Sequence, residues 1–485
     1  MSEPLPAAAE PFDVAIIGGG AAGVLVAIHL LEAGKRQARI ILLEPRPNLG
    51  QGVAYSTAYP EHLLNVIAGR MSAFDADPSH FVRHLEAAET ATTGLEADGT
   101  MPHRFARRLD FGQYLRATLA ARAAPESLQW RDEAIDVVGD GPYAISLRSG
   151  RSIAARSIVL AVGNFPRALP MPASAILGEP RIDNAWDYAV VRSIKPDADV
   201  CIIGSGLTMV DAVISLAESG HRGQVTVLSR HGLIPLAHAS AGVQEGDIND
   251  LLGLNVRARI RALRARAAAG SHGGEPWQWT MDRLRPHGQA LWLSLDESEQ
   301  RRFLRHALRF WDIHRHRIAP EVATRIAAMR FTGQMVVHAG HVASITGDSR
   351  RSQVRFRPRG EAREREVCVH RVLNGTGVET SLARMQSSLI RTLVARGVIS
   401  PGPHDIGMAT DGVGALLAAD GTVQSNILTL GATRIGQCWE SIAIPELRRQ
   451  AQNISEYLLD RIHGQSCRVD QGLLSTDASV HSLIR

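Results

Sequence analysis

DVAIIGGGAAGVLVAIHLLEAG, residues 13–34, joins an apolar run to a glycine-rich turn and then to a run of helix-forming residues. The pattern predicts a buried strand over residues 14–17, a tight turn, and a helix that ends at Gly34. A second apolar strand is expected over residues 40–43. Strand, helix and strand together predict a βαβ unit at the start of the chain.

The turn itself is a GxGxxG motif, and its position between a strand and a helix makes it specific. Gly18 allows the tight turn, Gly20 lets the backbone approach a pyrophosphate, and Gly23 lets the helix pack against the strand. Ala22 lies at the start of the helix, whose N-terminal N–H groups favour an anion. Glu44 ends the next strand about 20 residues later, where a carboxylate can accept hydrogen bonds from a ribose diol. These features predict a dinucleotide site.

A second copy of the unit occurs in ADVCIIGSGLTMVDAVISLAESGHRGQVTVLSR, residues 198–230. Gly204 and Gly206 occupy the first two glycine positions, and Leu207 and Thr208 open the helix. Met209 stands at the third position, so this helix is expected to lie further from its strand than the first one does.

The residue that matches Glu44 in the second copy is Ser229, and Arg230 follows it. The ribose carboxylate is therefore replaced by a hydroxyl and a guanidinium, which suit a 2′-phosphate. This favours NADPH over NADH, although NADH stays possible. The alternative is that Arg230 is a solvated side chain in an arginine-rich protein.

Each βαβ unit is followed later by an alternating hairpin and an apolar strand that ends on glycine, at Gly163 and Gly377. The repeat predicts an α/β protein with two Rossmann-type dinucleotide-binding domains, the acid-bearing one for FAD. We place the FAD-binding domain at residues 12–165 and 371–462, and the NAD(P)-binding domain at 197–370. Residues 247–325 are read as a helical insertion in the second domain and 463–485 as a tail.

Composition excludes several function classes. The chain has 485 residues, a net charge of +4 and four dispersed cysteines without a CxxC pair, so no metal site or disulfide scaffold is predicted. Its arginines are scattered among acids, which argues against nucleic acid. The N-terminus has no basic segment, and the longest apolar stretch is interrupted by glycines, which argues against a signal peptide or a membrane partner. We expect a cytoplasmic protein, and the sequence does not indicate its oligomeric state.

Several stretches resemble a bacterial FAD/NAD(P)-binding family that includes an FAD-dependent urate hydroxylase and a nitrosuccinate-forming aspartate N-oxygenase. They are GQGVAYST (50–57), HLLNVIAGRMS (62–72), VLAVGNFPR (159–167), IIGSGLTMVDAV (202–213), FWDIHRHRIAP (310–320) and CWESIAIPELRRQA (438–451). The resemblance covers about residues 12–460. It implies that Gly52, Asn65 and Gly163 lie against the flavin cofactor. Ile67 departs from the proline expected in the second stretch.

The C-terminal stretch predicts a short strand that ends at Gly431 and a helix with Pro445 in its first turn, running to about residue 459. A helix N-terminus directed at a flavin can stabilise negative charge on the reduced ring. Ser441 and Ile442, within residues 441–444, are therefore expected to contact the isoalloxazine. The alternative is a closing helix without cofactor contact.

RRFLRHALRFWDIHRHRIAP, residues 301–320, carries an apolar stripe whose continuation reaches Arg315. An inward guanidinium needs either a buried carboxylate or an anionic ligand, so Arg315 is a candidate substrate anchor. His314 and His316 flank it and are candidate proton-transfer groups. A structural ion pair at the helix end is at least as well supported, so the catalytic residues stay unknown.

These features favour a flavin- and NADPH-dependent monooxygenase that uses O₂ to hydroxylate a small, anionic, nitrogen-containing substrate such as a urate-like compound or an amino acid. Such an enzyme needs few side-chain catalysts, which fits the absence of a triad or carboxylate pair from the sequence. One alternative is an NAD(P)H dehydrogenase that passes electrons to a quinone or a protein. Another is a flavin-binding scaffold or regulatory protein.

Overall fold

Two eight-stranded sheets organise the chain in the computed structural model, which describes residues 10–32, 38–88, 100–122, 127–239 and 246–464. The first sheet contains β1 (Phe12–Ile17), β2 (Ile40–Leu43), β3 (Ser127–Trp130), β4 (Ala134–Val138), β5 (Tyr143–Leu147), β6 (Ser152–Leu160), β15 (Ala415–Leu417) and β16 (Val423–Thr429). The second contains β7 (Ile176–Gly178), β8 (Ile182–Asn184), β9 (Val200–Ile203), β10 (Val225–Ser229), β11 (Met335–Gly347), β12 (Ser352–Pro358), β13 (Arg365–Val369) and β14 (Arg371–Asn374).

Sixteen α-helices accompany the sheets in the described residues. They are α1 (Ala21–Glu32), α2 (Gly52–Tyr55), α3 (His80–Ala87), α4 (Arg108–Ala120), α5 (Tyr188–Arg192), α6 (Leu207–Glu218), α7 (Asn249–Leu252), α8 (Val256–His272), α9 (Trp277–Leu284), α10 (Gly288–Leu293), α11 (Glu297–Arg302), α12 (Leu308–Arg315), α13 (Pro320–Phe331), α14 (Ser388–Ala395), α15 (Ile435–Cys438) and α16 (Ile444–Ile462). A π-helical turn, Phe303–Ala307, joins α11 to α12. None of the helices within these described ranges is long and apolar enough to cross a membrane.

The first sheet has a parallel centre, in the order β16-β6-β1-β2-β3. Alternate residues of β1 point to opposite faces, so Val14 and Ile16 pack with α1, α4 and α16. Ala15 and Ile17 pack under the β4–β5 hairpin and α14. Both faces of the sheet are thereby buried, as is usual for a parallel sheet.

The second sheet repeats this plan, with β8-β14-β9-β10-β11 parallel and β12 and β13 added as an antiparallel extension. The predicted fold class, two Rossmann-type units in one α/β chain, is confirmed. Helices α7 to α12 occupy the segment predicted as the helical insertion.

Two sequence-based boundaries differ from the observed strands. Residues 371–374 were assigned to the first domain, but β14 pairs with β9 of the second sheet. The physical reason is the repeat itself, since β14 closes the second unit as β6 closes the first. Residues 176–178 and 182–184, which lie between the two predicted domains, form β7 and β8 of the second sheet. The predicted helix end at Gly34 and most of the predicted tail (465–485) lie outside the described residues.

Candidate functional site

The first glycine turn has the close contacts that its glycines predict. A Cβ on Gly18 (φ +110°) would lie 2.2 Å from the Ala161 carbonyl oxygen, and one on Gly23 would lie 1.9 Å from the Gly18 carbonyl oxygen. No side chain fits at either distance. Gly18 and Gly23 therefore fix the strand, turn and helix in the arrangement that presents the N-terminus of α1.

Glu44 ends β2 beside this turn and is buried. Its Oε2 accepts a hydrogen bond of 2.8 Å from the Gly19 N–H, and its Oε1 accepts one of 3.0 Å from the Arg46 N–H. Arg46 Nε also lies 3.4 Å from Oε1. Oε2 keeps a second lone pair, so it can still accept from a ribose hydroxyl. This acceptor and the N–H groups at the start of α1 fit the adenosine half of FAD.

Gly20 and Gly52 face each other across the turn, since a Cβ on either would lie 3.4 Å from the Cα of the other. Gly52 (φ +51°) begins the short α2 of the GQGVAYST stretch. Gly163 (φ +72°) ends the strand segment at the same edge, with open space where a Cβ would point. Backbone from three segments thus lines a groove at the carboxyl ends of the strands, the expected ligand position in such folds.

The C-terminal loop is fixed by polar contacts around Gly431 and Ser441. The Ser441 hydroxyl donates to the Gly431 carbonyl oxygen at 2.7 Å. Gln450 on α16 accepts from the Gly431 N–H at 3.1 Å and donates to the Ser441 carbonyl oxygen at 3.0 Å. Ile442 is 40% exposed and lies two residues before α16, which has Pro445 in its first turn as predicted. Hydrogen bonds thus hold this loop to α16, and its contact with an isoalloxazine stays a prediction.

The second glycine turn differs from the first in the way its third position is filled. A Cβ on Gly204 (φ +112°) would lie 2.1 Å from the Gly375 carbonyl oxygen, so this position requires glycine. Gly206 has open space in place of a Cβ and precedes the first residue of α6, Leu207, without a side-chain cap. Met209 is completely buried in the core of the second domain. The Thr208 hydroxyl accepts a hydrogen bond of 3.1 Å from the Trp186 indole.

The end of β10 carries the predicted phosphate reader. Arg230 is exposed, and its side chain has no hydrogen bond or ion pair to any described residue. The Ser229 hydroxyl lies 2.8 Å from that of Ser205 and accepts from the Gly232 N–H at 3.0 Å. Because the Ser229 hydroxyl already makes hydrogen bonds within the turn, the Arg230 guanidinium is the group available to bind a 2′-phosphate.

Further positive groups surround Arg230. Arg359 donates to Nδ1 of His231 at 2.9 Å. Burial and then the charges of Arg359, Arg230 and Arg309 lower the pKa of His231. Such a concentration of cations at the strand ends favours an anionic ligand.

A buried ion pair fixes the two domains against each other. Arg108 at the start of α4 donates to both carboxylate oxygens of Asp211 on α6, at 2.7 and 3.0 Å. Both side chains are 11% exposed. Nearby, His238 of the second domain lies 3.0 Å from the carbonyl oxygen of Asn65, the predicted flavin-side residue. Ile67, which replaces the expected proline, packs against the core of the second domain.

The helical insertion docks on the C-terminal segment of the first domain. The Trp292 indole donates to the Gly436 carbonyl oxygen at 3.2 Å, and Gln300 contacts His404 at 2.7 Å. Trp292 also stacks on Trp439 with ring centroids 4.6 Å apart. The insertion therefore closes over the loop that leads into α16.

This docking surface contains the non-glycine residues with positive φ in the described chain, namely His404, Asp405, Trp439 and Glu440. Such conformations cost about 1–3 kcal/mol each and persist only where surrounding contacts impose them. Trp439 and Glu440 are held by contacts from the insertion. They directly precede the predicted flavin-contacting residues 441–444.

Arg315 points inward as predicted, and its partner is Glu440. The Arg315 Nε donates to Oε2 of Glu440 at 2.8 Å, and both side chains are less than 10% exposed. The Trp311 indole donates to the other carboxylate oxygen, also at 2.8 Å. Arg315 therefore forms the ion pair that was the alternative to a substrate anchor. This ion pair joins the insertion to the first domain.

The two flanking histidines differ. His314 Nδ1 lies 2.7 Å from the Phe310 carbonyl oxygen of its own helix, and its ring packs on Trp277. The His316 ring has no hydrogen bond to the described part of the chain, and burial followed by the charges of Arg315, Arg285 and Arg309 lowers its pKa to about 3. His316 is therefore neutral at pH 7 and is poorly suited to accept a proton.

Sequence reasoning missed four charged residues near this loop. Glu440 is the carboxylate that Arg315 was expected to need. Arg285 pairs with Glu446, and Arg317 pairs with Asp282. Burial raises the pKa of Asp312 to about 6, despite its contact with Arg309. No local sequence motif marks Glu440, Arg285, Arg317 or Asp312, because their positions depend on the docking of distant segments.

Part of this site lies in a region that is similar to a known protein family. Residues 15–165 match the family model described as FAD-NAD(P)-binding. This stretch contains the first glycine turn, Glu44, Gly52 and Asn65. No curated protein gives a significant match to the chain. The finer resemblance to a urate hydroxylase and an aspartate N-oxygenase stays a prediction.

Solved structures share the architecture over most of the chain. Ornithine N-hydroxylase from Kutzneria sp. 744 is 14% identical, with a TM-score of 0.63 over 93% of this chain and 100% of that one. L-lysine 6-monooxygenase from Pseudomonas syringae is 16% identical, with a TM-score of 0.64 over 93% and 100%. The fold is that of a two-domain FAD/NAD(P)-binding flavoprotein. A bacillithiol disulfide reductase from Staphylococcus aureus also shares it, at 15% identity and a TM-score of 0.54 over 93% and 99%.

Proposed function

We propose that the protein is an FAD-dependent, NADPH-using monooxygenase that hydroxylates a small, anionic, nitrogen-containing substrate. FAD would be held by the first glycine turn, by Glu44 and by the loops at Gly52 and Gly431. NADPH would be held by Gly204, Gly206, the N-terminus of α6 and Arg230. Bound FAD would take a hydride from NADPH and supply the reducing equivalents for O₂ chemistry, while the protein positions the partners and excludes water.

The observation that carries this proposal is the docking of the helical insertion over the loop 439–446. The insertion brings Trp311, Arg315 and Arg285 against Glu440 and Glu446, beside the residues expected to contact the flavin. This arrangement provides a buried cluster of charged groups in which guanidinium N–H groups of Arg285 and Arg315 have no acceptor. A site shielded from water suits an oxygenation, and unpaired guanidinium N–H groups suit an anionic substrate.

The names of the structural neighbours support an amine or amino-acid substrate. Ornithine, lysine and, in an enzyme from Erwinia amylovora, cadaverine are the substrates that those names give. Low identity limits the comparison to the fold, so the substrate of this chain rests on its own residues.

One apolar cavity lies between the insertion and Trp439, and it does not suit the quinone of the dehydrogenase alternative. It is lined by apolar groups that include Trp292, Trp311, Trp439 and Phe303, and its volume is about 70 Å³. A cavity of about 150 Å³ is known to take benzene, so this one is too small for a quinone ring without rearrangement.

The test is NADPH oxidation by purified, FAD-loaded protein with urate, aspartate, ornithine and lysine, scoring both peroxide and oxygenated product. Product formed in proportion to NADPH consumed supports the proposal. Electron transfer to quinones without oxygenated product would indicate the dehydrogenase, and negligible turnover with every compound would indicate a flavin-binding scaffold.

A further inference from the structure

Four arginines surround the docked end of the insertion and are here called the arginine basin: Arg70, Arg285, Arg315 and Arg317. Their charges are close enough to repel one another. Burial is the larger cause of the lowered pKa values of Arg285 and Arg317, and the charges of Arg315 and Arg70 lower both pKa values further. The pKa of Arg285 falls to about 10. Three segments therefore bring their positive charges to one place.

The carboxylates of this region do not use all the available donors. Arg315 pairs with Glu440, Arg317 with Asp282, and Arg285 more loosely with Glu446 at 3.7 Å. Yet Nη2 of Arg285, Nη2 of Arg315 and Nε of Arg317 are buried without a hydrogen-bond acceptor. The side chains are 10%, 9% and 3% exposed. Buried N–H groups of this kind are costly unless a ligand supplies the acceptor.

Arg70 adds a fourth cation. It ends the 3₁₀ turn Ala68–Arg70 that follows Asn65, is partly buried, and has no acceptor within the described chain. Four guanidinium groups thus face three carboxylates, Glu440, Glu446 and Asp282. The neighbouring His238 and His316 add no charge near neutral pH, because burial lowers their pKa values to about 4 and about 3. Arg309 and Asp312 pair with each other at 3.0 Å, so the excess among the groups named here is one positive charge.

We propose that the arginine basin binds a carboxylate group of the substrate. A planar monoanion balances the single excess charge and can accept from several guanidinium N–H groups at once, whereas a phosphate dianion would exceed it. The carboxylate of Glu446, which lies 3.7 Å from Arg285 and has Oε2 buried without a partner, further disfavours a second negative charge. The assignment rests on the proposed function and narrows its anionic substrate to a carboxylic acid.

The test is calorimetric titration of the FAD-loaded protein with formate, acetate, benzoate and inorganic phosphate. Saturable binding of at least one carboxylate, tighter than phosphate, is expected. The variant Arg70→Met removes a charge without leaving any acceptor unpaired, so it should fold and should weaken carboxylate binding about 10- to 100-fold, as loss of one charge-assisted hydrogen bond implies. Arg391→Met is the matched control, since Arg391 is exposed on α14 and its side chain has no hydrogen bond to the described residues.

Three results would overturn the assignment. They are an absence of saturable carboxylate binding, equal binding by the parent and Arg70→Met proteins, and loss of binding on saturation with NADP⁺, which would assign the basin to dinucleotide phosphates. If Arg70→Met fails to fold, Arg285→Gln replaces it, because the contact with Glu446 is long. Carboxylate binding without oxygenated product refutes the monooxygenase and leaves the anion site intact. Oxygenation of an uncharged amine, without carboxylate binding, refutes the anion site and leaves the monooxygenase proposal intact.

Discussion

Substitution of Arg108 by methionine tests how strongly the two domains are fixed to each other. Methionine keeps the apolar stem and removes the guanidinium, so Asp211 is left buried with only the Tyr188 hydroxyl at 3.3 Å to stabilise its charge. The substitution also removes the Nε bond of 2.9 Å to the Leu63 carbonyl oxygen. Breaking one partner of a buried ion pair costs about 3–5 kcal/mol.

Thermal unfolding followed by circular dichroism measures this loss. For domains of roughly 150–250 residues, 1 kcal/mol shifts Tm by about 2–4 °C, so Arg108→Met should unfold about 6–20 °C below the parent. Arg148→Met is the matched control. Arg148 also makes two hydrogen bonds to one carboxylate, that of Glu133, at 2.7 and 2.8 Å, but the side chains are 61% and 41% exposed. An exposed pair contributes about 0–1 kcal/mol, so the control should stay within about 4 °C of the parent.

The double variant Arg108→Met/Asp211→Leu separates the unpaired charge from lost packing. Replacing both charges by apolar groups removes the buried, unpaired carboxylate, so most of the lost Tm should return. If Arg108→Met unfolds no earlier than Arg148→Met, Asp211 is hydrated or protonated and the buried interface is wrong. If the double variant is as unstable as the single one, packing and not charge accounts for the loss.

Three further outcomes are expected. Gly206→Ala should fold and retain FAD, because its Cβ would point into open space, but should raise the KM for NADPH; an unchanged KM would show that the pyrophosphate does not approach Gly206. Arg230→Ala should weaken NADPH much more than NADH, and an equal effect on the two KM values would contradict a role in reading the 2′-phosphate. The free energy of unfolding should fall as pH decreases from about 6.5 to about 4. Burial lowers the pKa values of His238 and His316 in the folded protein, so the unfolded chain takes up protons first. Each histidine should contribute at most about 1.4 kcal/mol per pH unit. Urea unfolding at several pH values measures this slope, which should flatten in the His238→Gln/His316→Gln double variant.

Local chemistry made the two glycine turns predictable. Gly18, Gly23 and Gly204 sit where a Cβ would meet a carbonyl oxygen at about 2 Å, so their identity reports directly on the backbone. Glu44 could be placed because the spacing between strand ends is short in a βαβ unit. The repeat of the pattern then gave both domains and the order in which they occur.

The buried ion pairs between the insertion and the first domain could not be predicted in the same way. Arg315 was recognised as inward from its helical stripe, but its partner Glu440 lies 125 residues away in sequence. Arg285 and Arg317 contact Glu446 and Asp282 only after the insertion has docked on the first domain. Helical periodicity indicates which face is buried, and it carries no information about which distant segment covers that face.

Arg315 belongs to both of the arrangements that matter for the proposed reaction. Through Nε it holds Glu440, whose positive-φ backbone leads into residues 441–444, and through Nη2 it contributes a free donor to the arginine basin. The sequence assigned the anchoring of the substrate to Arg315 alone. In the proposed site, Arg315 shares that role with Arg70, Arg285 and Arg317. Arg315→Met would remove the charge and also leave Glu440 unpaired, so early unfolding of that variant cannot distinguish an anchor from a structural residue. Arg70 can make that distinction, because it supplies charge to the basin and pairs with nothing else in the described chain.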